Sequence, residues 1–373
     1  MPCTINHRFD HSFRIMKIFK ASIMFFSLLL LSCSGNREKA ASRFETTAES
    51  DPEIAGGFSI KQDGNTKLLE IFNQWDTTLP ARRIYLVEQP DAGERFSEGV
   101  SIQVPLKKVV CLSASHLSYL DALDEMDALI GVSNAGFVIS ENFMNRIKSG
   151  RIVEVGMGDH FKIEELINLS PDAVFVSPQQ GQSFQPLINA GLTVIPVGEY
   201  LEPHPLGRAE WIKFVGALFG KEKKAIAIFD SIAGDYNRLK QLTEGISDRP
   251  TVITGKQYGG FWNMAGGNSY EAHFLEDAGA RYLWDNDPGT GGIMLDFETV
   301  YNRGLDADYW RFLVYSDSEY SYEQLEQEDA RYADFHAFQQ KNLIACNTLK
   351  KPFFQKGFLE PQVILADYIR IFH

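Results

Sequence analysis

A few short stretches of this chain hold residue types that could do chemistry. Ser113-Ala114-Ser115-His116 sets two hydroxyls beside an imidazole, the pairing of nucleophile and base used in acyl transfer. Adjacency in sequence is not triad geometry, and neither serine sits in a Gly-x-Ser-x-Gly elbow, so a serine-dependent hydrolase stands only as an alternative to a binding role. Gln257-Tyr258-Gly259-Gly260-Phe261-Trp262 places three aromatics among glycines directly after a strand-like run. Such rings give large flat contact area to a planar or ring-shaped ligand, with core packing as the alternative for Tyr258 and Trp262. His116 is also a residue type that ligates haem iron or a corrin cobalt, and Tyr258 one that ligates ferric haem; a hydrogen-bonding role is the plainer reading of a lone loop histidine. Beyond residue 33 the six histidines are scattered with no pair at ligand spacing, which argues against a bare zinc or manganese site there. Gly266-Gly267 and Gly289-Thr290-Gly291-Gly292 are too irregular for a nucleotide fingerprint.

These residues need elements to hold them. From Lys107 onward short apolar runs alternate with amphipathic stretches: 109–112, 129–132, 153–155, 173–176 and 193–197 read as strands, with helical segments between. That order predicts βα units around a parallel sheet. Residues 209–244 hold no proline and predict one long helix. A second α/β series follows from Thr251, ending in a helix from Pro361 with the proline at its first position. The expected fold class is thus α/β: two lobes with central, mostly parallel sheets joined by one long helix, plus a short N-terminal β extension. The boundaries are 56–105 for that β-rich meander, 106–208 for the first lobe, 209–245 for the linking helix and 246–373 for the second lobe. Nothing in the extension points to chemistry. Ligand contacts are expected on the loops after the strands, at Ser115, His116, Asn134, Phe137, Met157 and Gln179 in the first lobe. Tyr258, Phe261 and Trp262 complete the set in the second.

Composition bounds the partners. The 373 residues carry 36 Lys and Arg against 49 Asp and Glu, a net charge of −13, with 44% hydrophobic residues. That hydrophobic share excludes a disordered chain, and the acidic balance argues against nucleic acid, whose phosphates require clustered Lys and Arg. Residues 23–31 form an apolar run broken by one serine, preceded by Lys17 and Lys20 and followed by Ser32-Cys33-Ser34-Gly35. Nine residues are too few to span a bilayer as a helix, which takes roughly twenty, but they match a signal-peptide core. Leu30-Leu31-Ser32-Cys33 resembles the lipobox of bacterial lipoproteins, which implies residues 1–33 as leader and lipobox, with Cys33 as the lipid-bearing residue. Met16 is a plausible start for that leader. Residues 34–55, rich in Ser, Thr, Ala and charge, are expected to be a flexible tether. Without residues 1–32 the chain carries 32 basic and 48 acidic residues, a net −16. Cys111 and Cys346 lie in apolar runs with neither metal spacing nor a disulfide framework.

The runs Lys108-Val109-Val110-Cys111-Leu112-Ser113, Ile130-Gly131-Val132-Ser133 and Ile163-Glu164-Glu165-Leu166-Ile167-Asn168-Leu169-Ser170-Pro171-Asp172, with Phe274-Leu275-Glu276-Asp277-Ala278-Gly279-Ala280 in the second lobe, carry a resemblance. Together they resemble the helical-backbone substrate-binding proteins of iron-siderophore, haem and cobalamin ABC importers, from about residue 107 to the C-terminus. The resemblance implies a ligand held between the lobes and no catalysis. It also implies no resident cofactor, although the ligand itself can contain iron or cobalt. It further implies two carboxylates, Glu164 and Glu276, that dock on an ABC permease and its ATPase; Glu165 leaves the first open to a shift of one, and ordinary solvated acids are the alternative. The sequence departs from the family where ligand choice is made: Ser113-Ala114 and Leu117-Ser118 replace its Ser-Pro and Thr-Glu, and no Asp-Tyr-Pro occurs around Asn134. The expectation is a monomeric lipoprotein on the periplasmic side of an inner or outer bacterial membrane, presenting a metal chelate or tetrapyrrole to the permease. A surface nutrient-binding lipoprotein without a permease is the other binding-protein alternative.

Overall fold

The computed structural model describes residues 44, 46–88, 98–134, 136, 141–156 and 160–373. The leader with Cys33, and the candidate contacts Phe137 and Met157, lie outside the described residues.

Five strands open the described chain: β1 (Thr46–Thr47), β2 (Phe58–Asp63), β3 (Thr66–Ile71), β4 (Arg82–Val87) and β5 (Val100–Gln103). They form one sheet in that order, antiparallel except for the last pair. The parallel β4–β5 pair departs from the expected meander. The first α/β series then runs β6 (Val109–Cys111), α1 (Ser115–Ala122), β7 (Leu129–Val132), α2 (Glu141–Lys148), β8 (Val153–Glu154), α3 (Ile163–Leu169), β9 (Ala173–Val176), α4 (Gln185–Asn189) and β10 (Val194–Pro196). Its strands are all parallel, in the order β10-β9-β6-β7-β8. β9 is buried throughout, as befits an apolar strand covered on both faces.

Two helices follow, α5 (Pro205–Leu218) and α6 (Glu222–Gln241), where the sequence predicts one from 209. Gly220 ends the first in a left-handed turn, with φ of 63°. The Lys221 amide returns to the Gly216 carbonyl at 2.8 Å and that of Gly220 to Ala217, the paired bonds of a glycine-terminated helix. Helix α6 runs from the first lobe to the second. At its start Lys221 and Lys224 pair with Glu125 and Asp124 of the first lobe. Near its end Tyr236 and Lys240 bind Asp277 of the second at 2.6 and 2.7 Å. Its 20 residues span about 30 Å.

The second series contains β11 (Thr251–Thr254), β12 (Lys256–Tyr258), β13 (Phe261–Ala265), α7 (Tyr270–Asp277), β14 (Arg281–Tyr282), β15 (Gly292–Leu295), α8 (Phe297–Gly304), β16 (Tyr309–Val314), α9 (Tyr322–Glu328), α10 (His336–Gln339), β17 (Leu343–Asn347), α11 (Phe353–Lys356) and α12 (Pro361–Phe372). A parallel sheet, β14-β11-β16-β17, is its centre; β12, β13 and β15 form a small antiparallel sheet beside it. The aromatic-glycine stretch is therefore a hairpin. Alternation along β13 sends Trp262 and Met264 inward and Phe261 and Asn263 outward.

The tether expectation fails for residues 44–55. Phe44, Ala48 and Ala55 are buried, and β1 pairs with β2. The backbone amides of Glu53, Ile54 and Ala55 donate to Glu210 at 2.8–2.9 Å. Those of Gly56 and Gly57 donate to Glu202 at 3.0 and 2.8 Å. Both carboxylates are buried, and these donors satisfy their oxygens. Helix α5 is buried along its whole length, with the N-terminal sheet over one side: Phe58 packs on Trp211 and Phe214 at ring distances of 4.8 and 5.4 Å. A polar-looking segment thus becomes a strap because its partners lie some 150 residues away, beyond any local pattern.

Candidate functional site

In an open α/β sheet the strand order reverses at one point, and the loops leaving the two neighbouring strands there diverge to leave a crevice. In the first lobe the reversal falls between β6 and β9, and in the second between β11 and β16. The loops after these four strands meet in a single cavity of about 1480 Å³, walled by Ser113, Ser115, Ser177 and Gln179 from the first lobe and Thr254, Gly255, Arg311 and Tyr315 from the second. Gly255 cannot be another residue: its φ is 71° and a Cβ would lie 1.6 Å from the Asn263 carbonyl oxygen.

The first-lobe wall is built on hydroxyls and one carboxylate. Ser113 and Ser115 share a hydrogen bond of 2.8 Å, and Ser115 donates to Glu199, which is fully buried. The other Glu199 oxygen lies 3.6 Å from His116 Nε2 and has no hydrogen-bond partner among the described residues. Ser177 Oγ is 3.3 Å from that same His116 nitrogen, while Nδ1 has no partner among the described residues. A hydrolytic relay uses both ring nitrogens, one toward the nucleophile and one toward the acid. Here serine and carboxylate crowd one nitrogen, so the arrangement is not a triad.

The second-lobe wall and α5 bring cations. Arg311 is buried on β16; its Nε donates to Tyr368 Oη at 2.9 Å and lies 3.1 Å from Glu271. Burial pulls the guanidinium pKa down, but Glu271 and the neighbouring tyrosines outweigh it and hold the pKa above its ordinary value. Arg208, on α5, is also buried, and burial lowers its pKa. It donates to the carbonyls of Glu202 and Tyr200 at 2.9 and 2.6 Å and lies 3.6 Å over the Tyr270 ring. Among the described residues no carboxylate lies within salt-bridge distance of it. Lys256 is spent on Glu328, and Lys351 completes the basic lining.

Of the contacts expected from sequence, Ser115, Gln179 and Tyr258 line the cavity; Tyr258 is 83% exposed. Phe261 pairs with Tyr258 across the hairpin and is exposed, outside the cavity wall. Asn134 accepts from the Gly136 amide at 2.7 Å, and Gly136, not Asn134, reaches the wall. Two expectations need correction. Trp262 is fully buried, 5.3 Å from Trp310 and 5.7 Å from Phe335 between ring centroids, because β13 alternation turns it into the core. His116 is in the first turn of α1 rather than on a loop, and is wholly enclosed against Phe175. Glu164 and Glu276 are exposed on α3 and α7, whereas Asp277 next door is buried and committed to Tyr236. No group of three metal-ligating side chains that could hold an ion occurs among the described residues.

Sequence reading missed Glu199, Arg208, Glu271 and Arg311. Arg311 left a signal: an arginine inside the apolar run Tyr309–Val314 is rarely buried unless paired. Arg208 and Glu271 left none, since charges on amphipathic helices are ordinary.

The family described as periplasmic binding protein matches residues 109–348. An uncharacterized lipoprotein of Methanocaldococcus jannaschii is 26% identical over 286 residues, 73% of this chain and 66% of the relative's length, just under two thirds. A second lipoprotein of that organism is 23% identical over 86% of this chain and 87% of its own. Among solved structures, the petrobactin-binding protein of Bacillus subtilis superposes with a TM-score of 0.59 at 17% identity, covering 82% of this chain and 99% of that one. The periplasmic haem-binding protein of Vibrio cholerae gives 0.55 at 18% identity, covering 69% and 97%. These share the two-lobed α/β fold with its parallel sheets. With most of both lobes inside the family match, this chain belongs to the periplasmic binding protein family.

Proposed function

We propose that the chain captures an anionic metal chelate or a tetrapyrrole in the cavity between its lobes and delivers it to an ABC permease. The observation that supports the reading is Arg208: a buried guanidinium on the cavity wall, held by two carbonyls and the Tyr270 ring, with no carboxylate within salt-bridge distance among the described residues, although Glu199 and Glu202 act on its charge from farther away. Such a group is completed by an anionic ligand, a carboxylate or catecholate oxygen that takes its free N–H donors. Glu199, on the same side of the cavity next to Tyr200, has one buried oxygen without a hydrogen-bond partner among the described residues. The cavity is large enough for a bulky chelate. Ligand names among the structural neighbours, petrobactin and haem, agree with this class. The protein binds and releases; transport energy comes from the permease's ATPase. Anchoring through Cys33 places it at the outer face of a cell membrane, a reading supported by the lipoprotein names of its relatives.

A thermal-shift and titration panel of haemin, cobalamin, ferric catecholates and ferric hydroxamates tests the ligand class. At least one anionic probe is expected to bind saturably without turnover, and Arg208→Gln to weaken it about tenfold or more. If no probe binds, even after removal of copurified ligand, the class is wrong. For delivery, Glu164→Arg combined with Glu276→Arg is expected to abolish uptake at unchanged ligand affinity, because interfacial charges fix docking register. Unchanged uptake removes the permease step and favours a nutrient-binding lipoprotein that works without one.

A further inference from the structure

The N-terminal sheet lies outside the family match, yet it reaches the cavity. The loop between β3 and β4, residues 72–81, brings Trp75 into the cavity wall. Of the five tryptophans, Trp211, Trp262, Trp284 and Trp310 are buried, whereas Trp75 is 40% exposed. Phe72 and Leu79 of the same loop are also exposed, although of the three only Trp75 is in the cavity wall.

Its position is fixed from two directions. Inside the loop, Asn73 Oδ1 accepts the amides of Trp75 and Asp76, each at 3.0 Å. Beneath it, the adjacent Gln74 side chain donates to Glu202 Oε1 at 3.1 Å. That oxygen also receives the Gly57 amide at 2.8 Å and Trp211 Nε1 at 3.0 Å. One buried carboxylate therefore ties the strap, the loop and α5 together, directly after the cavity residues Glu199–Leu201. Gly57 makes this possible: a Cβ there would lie 2.4 Å from the Gln74 amide nitrogen.

We infer that the N-terminal sheet is a cap on the binding cavity, and that Trp75 is a ligand-contact residue that stacks on a planar conjugated group of the ligand and so selects for it. The inference rests on the reading of the cavity as a chelate or tetrapyrrole site. An exposed indole at a cavity mouth has an apolar face to cover, and a flat ligand covers it with little entropy lost by the rigid ring.

The test uses the full protein with Trp75→Ala and Trp75→Phe. Haemin and a ferric catecholate serve as planar probes, and ferrioxamine, which has no ring system, as the contrast. Expected are about tenfold weaker binding of a planar probe to Trp75→Ala, recovery of most of it in Trp75→Phe, and no change in the midpoint of unfolding for the ligand-free protein. The Trp75 emission, taken as wild type minus Trp75→Phe, is expected to be open to iodide in the free protein and shielded when the probe is bound. This second reading decides the matter if Trp75→Ala proves unstable. Binding of a planar probe with Trp75 still open to iodide overturns the inference while leaving the site reading intact. So does wild-type affinity for the planar probe in Trp75→Ala, whereas wild-type protein that binds ferrioxamine alone, a chelate without negative charge, overturns both the inference and the anionic-ligand reading. Wild-type protein that binds none of the probes overturns both.

Discussion

Glu210 allows the strap to be tested by a single atom change. Its two carboxylate oxygens take the amides of Glu53, Ile54 and Ala55 and the ammonium of Lys213, all at 2.8–2.9 Å in a buried site. Glu210→Gln keeps the shape but replaces one acceptor by an NH2 group. Whichever way the amide turns, it faces two donors, since each oxygen carries two. Two charge-assisted bonds are lost, at about 1.5–3 kcal/mol each. Lys213, itself buried, is left without its carboxylate, and a buried pair broken in this way costs about 3–5 kcal/mol. These are two views of one event, so the expected loss is about 3–5 kcal/mol, concentrated on the strap. Amide exchange by mass spectrometry reads it locally: protection at residues 53–57 should fall about a hundredfold or more, while β9 and β11 change less. Adding Lys213→Met removes the stranded cation and should restore part of the loss. Exchange at wild-type rates, or a global loss below about 1 kcal/mol, would refute the claim that this carboxylate holds the extension in place. If the cap inference is right, the same variant also weakens binding of the planar probe.

The other expectations are simpler. Trp262→Ala should cost about 3–5 kcal/mol in chemical denaturation, because the ring fills the core between Trp310 and Phe335, and should leave affinity near wild type at temperatures where the variant is folded. A selective loss of affinity without a loss of stability would return Trp262 to the site. His204 caps α5 through Nδ1, which accepts the Leu206 amide at 3.1 Å, and burial lowers its pKa to about 4, with His273 and Lys240 acting in the same direction and Asp277 against them. Its folded pKa lies below the ordinary value near 6.5, so its contribution is complete above that value and is lost as pH falls from about 6.5 toward 4. The full loss is on the order of 3 kcal/mol. In His204→Asn, which retains a capping oxygen, that part of the pH profile should be flat; an unchanged slope would assign it to other groups.

The repeating pattern of this protein is written in its local residue order. Apolar runs such as 109–112 and 173–176 are strands because burial on both faces of a parallel sheet demands unbroken hydrophobic residues. The alternation of these runs with helices determined the α/β class, and motif order along the chain pointed to the family. The expected single helix over 209–244 overlooks Gly220, which ends α5 in a left-handed turn of the kind glycine most often takes at a helix end. Ser115, Gln179 and Tyr258 could be placed near the cleft because they follow strands whose C-terminal ends face it. The pairings between distant segments, by contrast, follow from the assembled fold. Whether Trp262 or Tyr258 faces the cavity depends on the pleat of a hairpin that the glycines disguise as a loop. Whether residues 44–57 are free or fastened depends on Glu202 and Glu210, whose burial comes from the very sheet they anchor. The same holds for Arg208 and for Trp75: their side chains are unremarkable in a local window, and they acquire a role because desolvation and a cavity wall are properties of the assembled fold.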